Sequence, residues 1–404
     1  MSRCCPKPER RRGFRAAVLL ALAWLLLATA LPAAARIRVG VATMRPGEVF
    51  FERFGHNAII VDDPDAGGPV SYNFGFFDME EDGFYADFVR GRMQYRLVAL
   101  PLAEDLAYYR EAGRGVTVQW LDLDGNEAAA LAAALAENAR PENARYRYDY
   151  FLDNCSTRVR DALDAALGGL LRRQMETRSR GNTFRGDAVR LASPVWWMWL
   201  GFDIGLGPAA DRPNSLWRDA FVPMRLADAL AQARRDDGRP LVVATETLVE
   251  HRLPPEPPER RRQWWPWLLA GLAIAFAAHA LGRRHPARLA ALALPFWTLC
   301  GVLGVLMLYL WLGTEHRFAW GNRNLLLFPP LCLLLLHGGW RIARGRDGGA
   351  MFRVLAWLVA LLAALSPFLL WLSQAPQRNA HWIALLLPVH AALALALGRP
   401  RAQG

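Results

Sequence analysis

The hydrophobic rhythm of this 404-residue chain changes twice. Residues 16–31 are one apolar run, 36–263 mix apolar and charged positions as a water-soluble domain does, and from 264 onward long apolar blocks alternate with short polar connections. In the mixed part, Ile37, Val39 and Val41, and again Val116, Val118 and Trp120, recur at every second position and predict strands. The apolar run after His56 predicts a buried strand, and 102–111 and 126–139 read as helices. Beyond Asp153 and Asn154, both good N-caps, Val159, Leu163, Leu167 and Leu170 keep helical spacing with charges on the other face. The expected fold is an α+β domain with a small sheet. An all-α transmembrane helix bundle succeeds it, with apolar blocks at 264–281, 289–312, 325–340, 354–372 and 382–397. These blocks imply about five spans, several shorter than the ~20 residues of a full crossing and therefore tilted or flanked by snorkelling side chains. The division is 1–35 leader, 36–253 soluble domain, 254–263 proline-rich linker and 264–404 membrane domain.

Charge fixes the orientation. The net charge of +11 sits mostly in short arginine clusters beside apolar blocks, with no basic stripe interleaved with aromatics, so nucleic-acid binding is rejected. Arg10, Arg11, Arg12 and Arg15 precede the first apolar run, and Ala33 and Ala35 form an A-x-A site. This is an export signal, cleaved after Ala35 or retained as an anchor, and the soluble domain is exported in either case. Arg283, Arg284 and Arg288 fill the first membrane connection, Arg341, Arg344, Arg346 and Arg353 the third, and Arg399 and Arg401 come after the last block. The positive-inside rule places these in the cytoplasm. The soluble domain and the connections at 313–324 and 373–381 then lie on the opposite side.

Of five cysteines, Cys4 and Cys5 belong to the leader, Cys300 and Cys332 lie within apolar spans, and Cys155 alone lies in the exported domain, without a partner to oxidise with. Such a thiol is either inert or a nucleophile. Its place in the first turn of an amphipathic helix favours a thiolate through the helix dipole, with Arg158 and Arg160 adding positive charge. Acyl transfer by a thiolate needs an acid/base partner. The exported domain offers two histidines, His56 at a strand start and His251 before the linker, of which His56 is better placed. No His/Cys/Asp cluster has metal-ligand spacing and no glycine-rich phosphate loop is present, so neither metal nor cofactor is expected.

Five patterns together resemble the Lnb-type N-terminal periplasmic domain family: Phe54-Gly55-His56-Asn57; Tyr72-Asn73-Phe74-Gly75-Phe76-Phe77-Asp78; Asp153-Asn154-Cys155-Ser156-Thr157-Arg158 with Arg160-Asp161; Leu216-Trp217 with Phe221-Val222-Pro223; and Thr314, His316, Asn322, Asn324, Leu325 and Leu326. The resemblance spans about 36–330. It implies a permuted papain-like thiol fold related to NlpC-type hydrolases, in which the histidine strand precedes the cysteine helix. It further implies residence in a bacterial cytoplasmic membrane with the first domain in the periplasm, and N-acylation of lipoproteins.

On that resemblance, Cys155 attacks an ester carbonyl of a phospholipid acyl donor, His56 protonates the departing lysophospholipid, and the amine of a lipoprotein acceptor takes the acyl group from the thioester. N–H groups at the start of the Cys155 helix would hold the oxyanion, and Asn73 or Tyr72 would orient His56. Asn154, Arg158, His316, Asn322 and Asn324 are the candidate substrate-binding residues, although the default for polar side chains at a membrane surface is simple solvation. The tryptophans at 196, 197 and 199 suit a membrane interface or an aromatic core. Two rival readings use the same residues: a thiol hydrolase of cell-wall peptide or lipid ester, and a membrane scaffold without catalysis.

Overall fold

The computed structural model describes Ser2 and residues 37–259, 262–372 and 376–399, and the expected leader over 1–35, Ser2 apart, lies outside them. Seven strands, β1 (Arg38–Met44), β2 (His56–Asp62), β3 (Val70–Phe76), β4 (Gln94–Pro101), β5 (Val116–Leu121), β6 (Arg145–Arg147) and β7 (Val242–Val249), form one sheet in the order β6-β4-β3-β2-β1-β5-β7. Every pairing is antiparallel. The helices are α1 (Phe84–Arg90), α2 (Leu102–Glu111), α3 (Gly125–Asn138), α4 (Cys155–Ala166), α5 (Leu170–Met175), α6 (Phe184–Ala192), α7 (Trp196–Gly205), α8 (Leu216–Asp219) and α9 (Pro223–Gln232).

Successive side chains of a strand point to opposite faces, and the central strands are apolar on both. Val39, Val41, Ile59 and Val61 meet Leu131 and Leu135 of α3, Val159 and Leu163 of α4, and Leu226 and Leu230 of α9. Ala42, Met44, Ala58 and Ile60 meet Leu106 and Tyr109 of α2 on the other face. The α+β expectation therefore holds, on a sheet of seven strands. The stretches at 102–111 and 126–139 are helical as their pattern predicts.

Four of the membrane-domain helices, α10 (Trp265–Arg284), α11 (Pro286–Leu312), α13 (Ala350–Leu372) and α14 (Ala380–Leu397), are long and apolar enough to cross a bilayer. The third apolar block is broken. It runs through 3-10 turns at Arg323–Leu326 and Pro330–Leu334 before α12 (Leu335–Ala343), with a 49° bend. Pro329 and Pro330 lack the N–H that a continuous helix needs there. The block still makes a full pass. Arg323 donates to the Leu369 carbonyl near the end of α13 (3.2 Å), and Gly338 lies against Phe352 near its start. A 3-10 rise of about 2.0 Å per residue, against 1.5 Å in an α-helix, lets a short segment cover that height. Among the described residues the bundle thus has four continuous spans and, with the bent pair counted as one, a fifth that is broken.

The soluble domain rests on the end of the bundle that carries 313–324 and 376–381, where Gly207 N–H donates to the Phe318 carbonyl (2.6 Å) and Arg378 N–H to Asp211 (3.1 Å). Arg283, Arg288, Arg341 and Arg353 lie at the opposite end, in agreement with the charge rule. The proline-rich stretch is no free spacer. Arg190 holds Glu256 (3.0 Å) and the Pro257 carbonyl (2.9 Å), and Arg262 reaches Asp203 (2.6 Å).

Candidate active site

Cys155 is the first residue of α4, and the sequence before it builds a firm N-terminus. Asn154 caps the helix: its side-chain oxygen accepts from Thr157 N–H (2.9 Å), and Thr157 Oγ1 accepts from Asn154 N–H (2.7 Å). The Asn154 amide donates to the carbonyls of Tyr150 and Phe221, both at 2.9 Å. Asn154, expected at the substrate, is thus engaged through its side chain and its N–H in positioning the helix. Ser156 Oγ, beside the thiol, lies 2.8 Å from Asn57 Oδ1 and 2.6 Å from the Ala220 carbonyl and ties α4 to β2.

His56 opens β2 and faces the half-buried Cys155 thiol. Its Nε2–H donates to Asn73 Oδ1 (3.0 Å), which leaves Nδ1 for the sulfur. The amide orientation is set by the next shell. Asn73 Nδ2 donates to Ser71 Oγ (3.0 Å) and Asp105 Oδ2 (3.1 Å), and Ser71 Oγ donates to the same carboxylate oxygen (2.6 Å). The result is a line of thiol, imidazole, amide and carboxylate. Of the two residues expected to orient His56, Asn73 meets it. Tyr72, one position away on β3, points to the opposite face and packs into the core beneath α4.

Burial by itself raises the Cys155 thiol. The His56 charge and hydrogen bond, with the N–H groups of Asn57 and Ser156 aimed at the sulfur, outweigh it and hold the thiol below its ordinary range. Burial lowers His56, but the Cys155 thiolate, the Asp105 carboxylate and Asn73 outweigh it and leave the imidazole raised. Both shifts favour a thiolate–imidazolium pair. The arginines expected to help do not face the sulfur. Arg158, expected at the substrate, pairs with Asp153 (2.7 Å) and stacks over Tyr146, and Arg160 pairs with Asp161 and stacks on Trp217.

Gly75 completes the site. Its φ of 98° sits at a bulge in the β3–β4 pairing. A methyl there would lie 3.4 Å from Cys155 Cβ and 3.8 Å from Tyr146 Oη, so the absent side chain leaves space between thiol and phenol. Asp105, Ser71, Gly75 and Tyr146 were not singled out for chemistry by the sequence pattern. Asp105 alone carried a signal, an acid on the buried stripe of a helix with Leu106 and Tyr109.

An aromatic surface leads from the site to the bundle. Phe77 packs against Phe51 (5.4 Å between centroids), Phe84 (5.7 Å) and Tyr95 (4.9 Å). Tyr85, Phe88 and Val89 of α1 are exposed beside it, as are Phe50 and Phe51. Helix α1 abuts the second membrane connection, where Glu315 N–H donates to the Arg90 carbonyl (2.8 Å) and His316 Nε2 to the Phe88 carbonyl (3.0 Å).

His316, Asn322 and Asn324 lie in the seam between domain and bundle. His316 also bonds Tyr150, Asn322 Nδ2 donates to the carbonyls of Ile204 (2.7 Å) and Gly205 (3.0 Å), and Asn324 Nδ2 donates to Ile204 (3.0 Å). The two amides satisfy carbonyls at the end of α7, while His316 ties the second membrane connection to α1 and to Tyr150.

A family model described as the Lnb N-terminal periplasmic domain matches residues 33–189, and one described as the Lnb transmembrane domain matches residues 264–399. No curated protein and no solved structure matches the chain.

Proposed function

The chain belongs to the Lnb family, with its N-terminal domain periplasmic and its C-terminal domain in the membrane, and from that premise we propose that it is a thiol acyltransferase of the cytoplasmic membrane. The observation that carries the reading is the Cys155–His56–Asn73 line on a domain seated on the periplasmic end of the bundle. The Cys155 thiolate attacks the carbonyl carbon of a phospholipid ester. The C–O bond breaks, the His56 imidazolium gives its proton to the departing glycerol oxygen, and the acyl group stays on sulfur as a thioester. The α-amine of a lipoprotein's N-terminal cysteine then attacks the thioester. His56 takes the amine proton, the C–S bond breaks, and the thiolate returns with an amide as product. The Cys155 N–H at the helix start, which has no intrahelical partner, supports the oxyanion. The exposed aromatic surface of α1 and Phe51 suits an acyl chain that leaves the bilayer for the thiol.

The test is a strain lacking its own lipoprotein N-acyltransferase, complemented with this chain and read by mass spectrometry of lipoprotein N-terminal peptides. The wild type should restore the third acyl chain, and Cys155→Ala at equal membrane level should not. Free fatty acid without acylated lipoprotein would instead place the chain among hydrolases, and full activity of Cys155→Ala would leave the scaffold reading.

A further inference from the structure

Tyr146 lies on β6 within the main core, about nine-tenths buried, and its hydroxyl has no hydrogen-bond partner among the described residues. Buried hydroxyls are ordinarily paired, and an orphan beside a reactive group implies a partner that arrives from outside. The ring is held on two sides, by Phe74 (6.3 Å between centroids) and by the Arg158 guanidinium 4.2 Å above it. The hydroxyl therefore points in a fixed direction. That direction is the gap left by Gly75, which the Cys155 Cβ borders from the other side. Burial, with the negative charge of Cys155 close by, holds the phenol well above its ordinary range, so it stays a donor at any working pH.

We propose that Tyr146 Oη–H donates to the carbonyl oxygen of the group under attack at Cys155, as the side-chain member of the oxyanion site whose main-chain member is the Cys155 N–H at the start of α4. This rests on the acyl-transfer reading and adds to it a residue that touches the reacting atoms. In the tetrahedral intermediate, negative charge grows on oxygen, and a donor already oriented and desolvated strengthens its bond there without reorganising.

The experiment compares two reactions of the same thiol in the full-length protein, purified in detergent. Iodoacetamide alkylates Cys155 by displacement at a saturated carbon and forms no oxyanion. A p-nitrophenyl ester of a long-chain fatty acid acylates it through a tetrahedral oxyanion, monitored by nitrophenolate release and by the mass of the Cys155 peptide. Tyr146→Phe should leave alkylation within twofold of wild type and slow acylation by about 10²-fold. It should also leave the melting temperature unchanged or slightly higher, because no internal hydrogen bond is lost. Acylation at the wild-type rate in Tyr146→Phe, with wild-type Cys155 carrying acyl, overturns the role of Tyr146 alone. A parallel fall in alkylation and acylation, or a marked loss of stability, overturns it as well, since either makes the hydroxyl a support of the thiol or of the fold. No acyl group on wild-type Cys155 overturns this inference together with the reading beneath it.

Discussion

A thiolate inside a protein needs compensation for lost hydration, and at Cys155 one facing ring and two main-chain N–H groups supply it. That balance sets the sign of the pH dependence. In the wild type the thiol is lowered and His56 raised, so alkylation should continue well below the ordinary thiol range. In His56→Ala burial and the two N–H groups remain while the imidazolium is gone, so the thiol pKa should rise above that of the wild type. Near pH 6 the variant should lose about tenfold in alkylation rate for each unit of that rise, and it should approach the wild type only at high pH. A pH–rate profile with iodoacetamide reads this directly, and superimposable profiles would show that His56 does not govern the thiol. The pair was legible in the sequence because cysteine and histidine are rare in this domain and each sits at the end of a regular element. Ser71 and Asp105 were not, since both residue types are common and Asp105 reaches Asn73 across 32 positions of chain. The arginines misled because a nearby positive charge in sequence does not say where a long side chain points, and Arg158 and Arg160 find Asp153 and Asp161 first.

Elements were legible where a period was strong and short-ranged. The two alternating runs became β1 and β5, and the amphipathic stretch after Asn154 became α4. Strand β6 is three residues long and β7 is an exposed edge, so neither offers a period to read. The third apolar block has the composition of a span, and composition is blind to the Pro329-Pro330 break that divides it. Helix α1 illustrates the reverse case. Its seven residues bury no side chain fully, yet it stands between two glycines in the left-handed region and is pinned by main-chain bonds to Glu315 and His316. An element with so little core of its own is held for what its outer face does. Replacing Tyr85 and Phe88 with serine should leave folding within about 0.5 kcal/mol, as surface changes do. Transfer from a long-chain phospholipid should fall at least tenfold relative to a short-chain soluble ester. Equal losses on both donors, measured side by side as acyl-Cys155, would separate this face from acyl-chain delivery.

At the scale of the molecule, the two halves share one boundary, and the thiol is built against it. Phe151, four residues before Cys155, packs on Phe318 of the second membrane connection (4.8 Å between centroids) and on Phe184 and Phe221 of the soluble domain. Asp203 of α7 accepts from His381 Nε2 and Trp382 Nε1 of α14, both at 2.8 Å, and Gln377 and Asn379 brace Asn322 and Asn324. Hydropathy separated soluble from membrane residues well, but it could not show that the polar positions of the connection face the protein, because a buried seam amide and an exposed one look alike in sequence. The seam can be tested apart from the chemistry. In the double variant Asn322→Ala, Asn324→Ala the carbonyls at the end of α7 lose their donors, at about 1–3 kcal/mol for each buried group left unsatisfied. Neither residue touches the thiol, so Cys155 should keep its alkylation rate and its acylation by a soluble ester. Transfer from phospholipid in a bilayer depends on how the domain is seated, and it should fall, together with a rise in proteolysis between the two halves. Loss of soluble-ester acylation as well would mean that the seam also sets the geometry of Cys155 through Phe318 and Phe151. Unchanged bilayer transfer would mean that the domain finds its lipid without being fixed to the bundle.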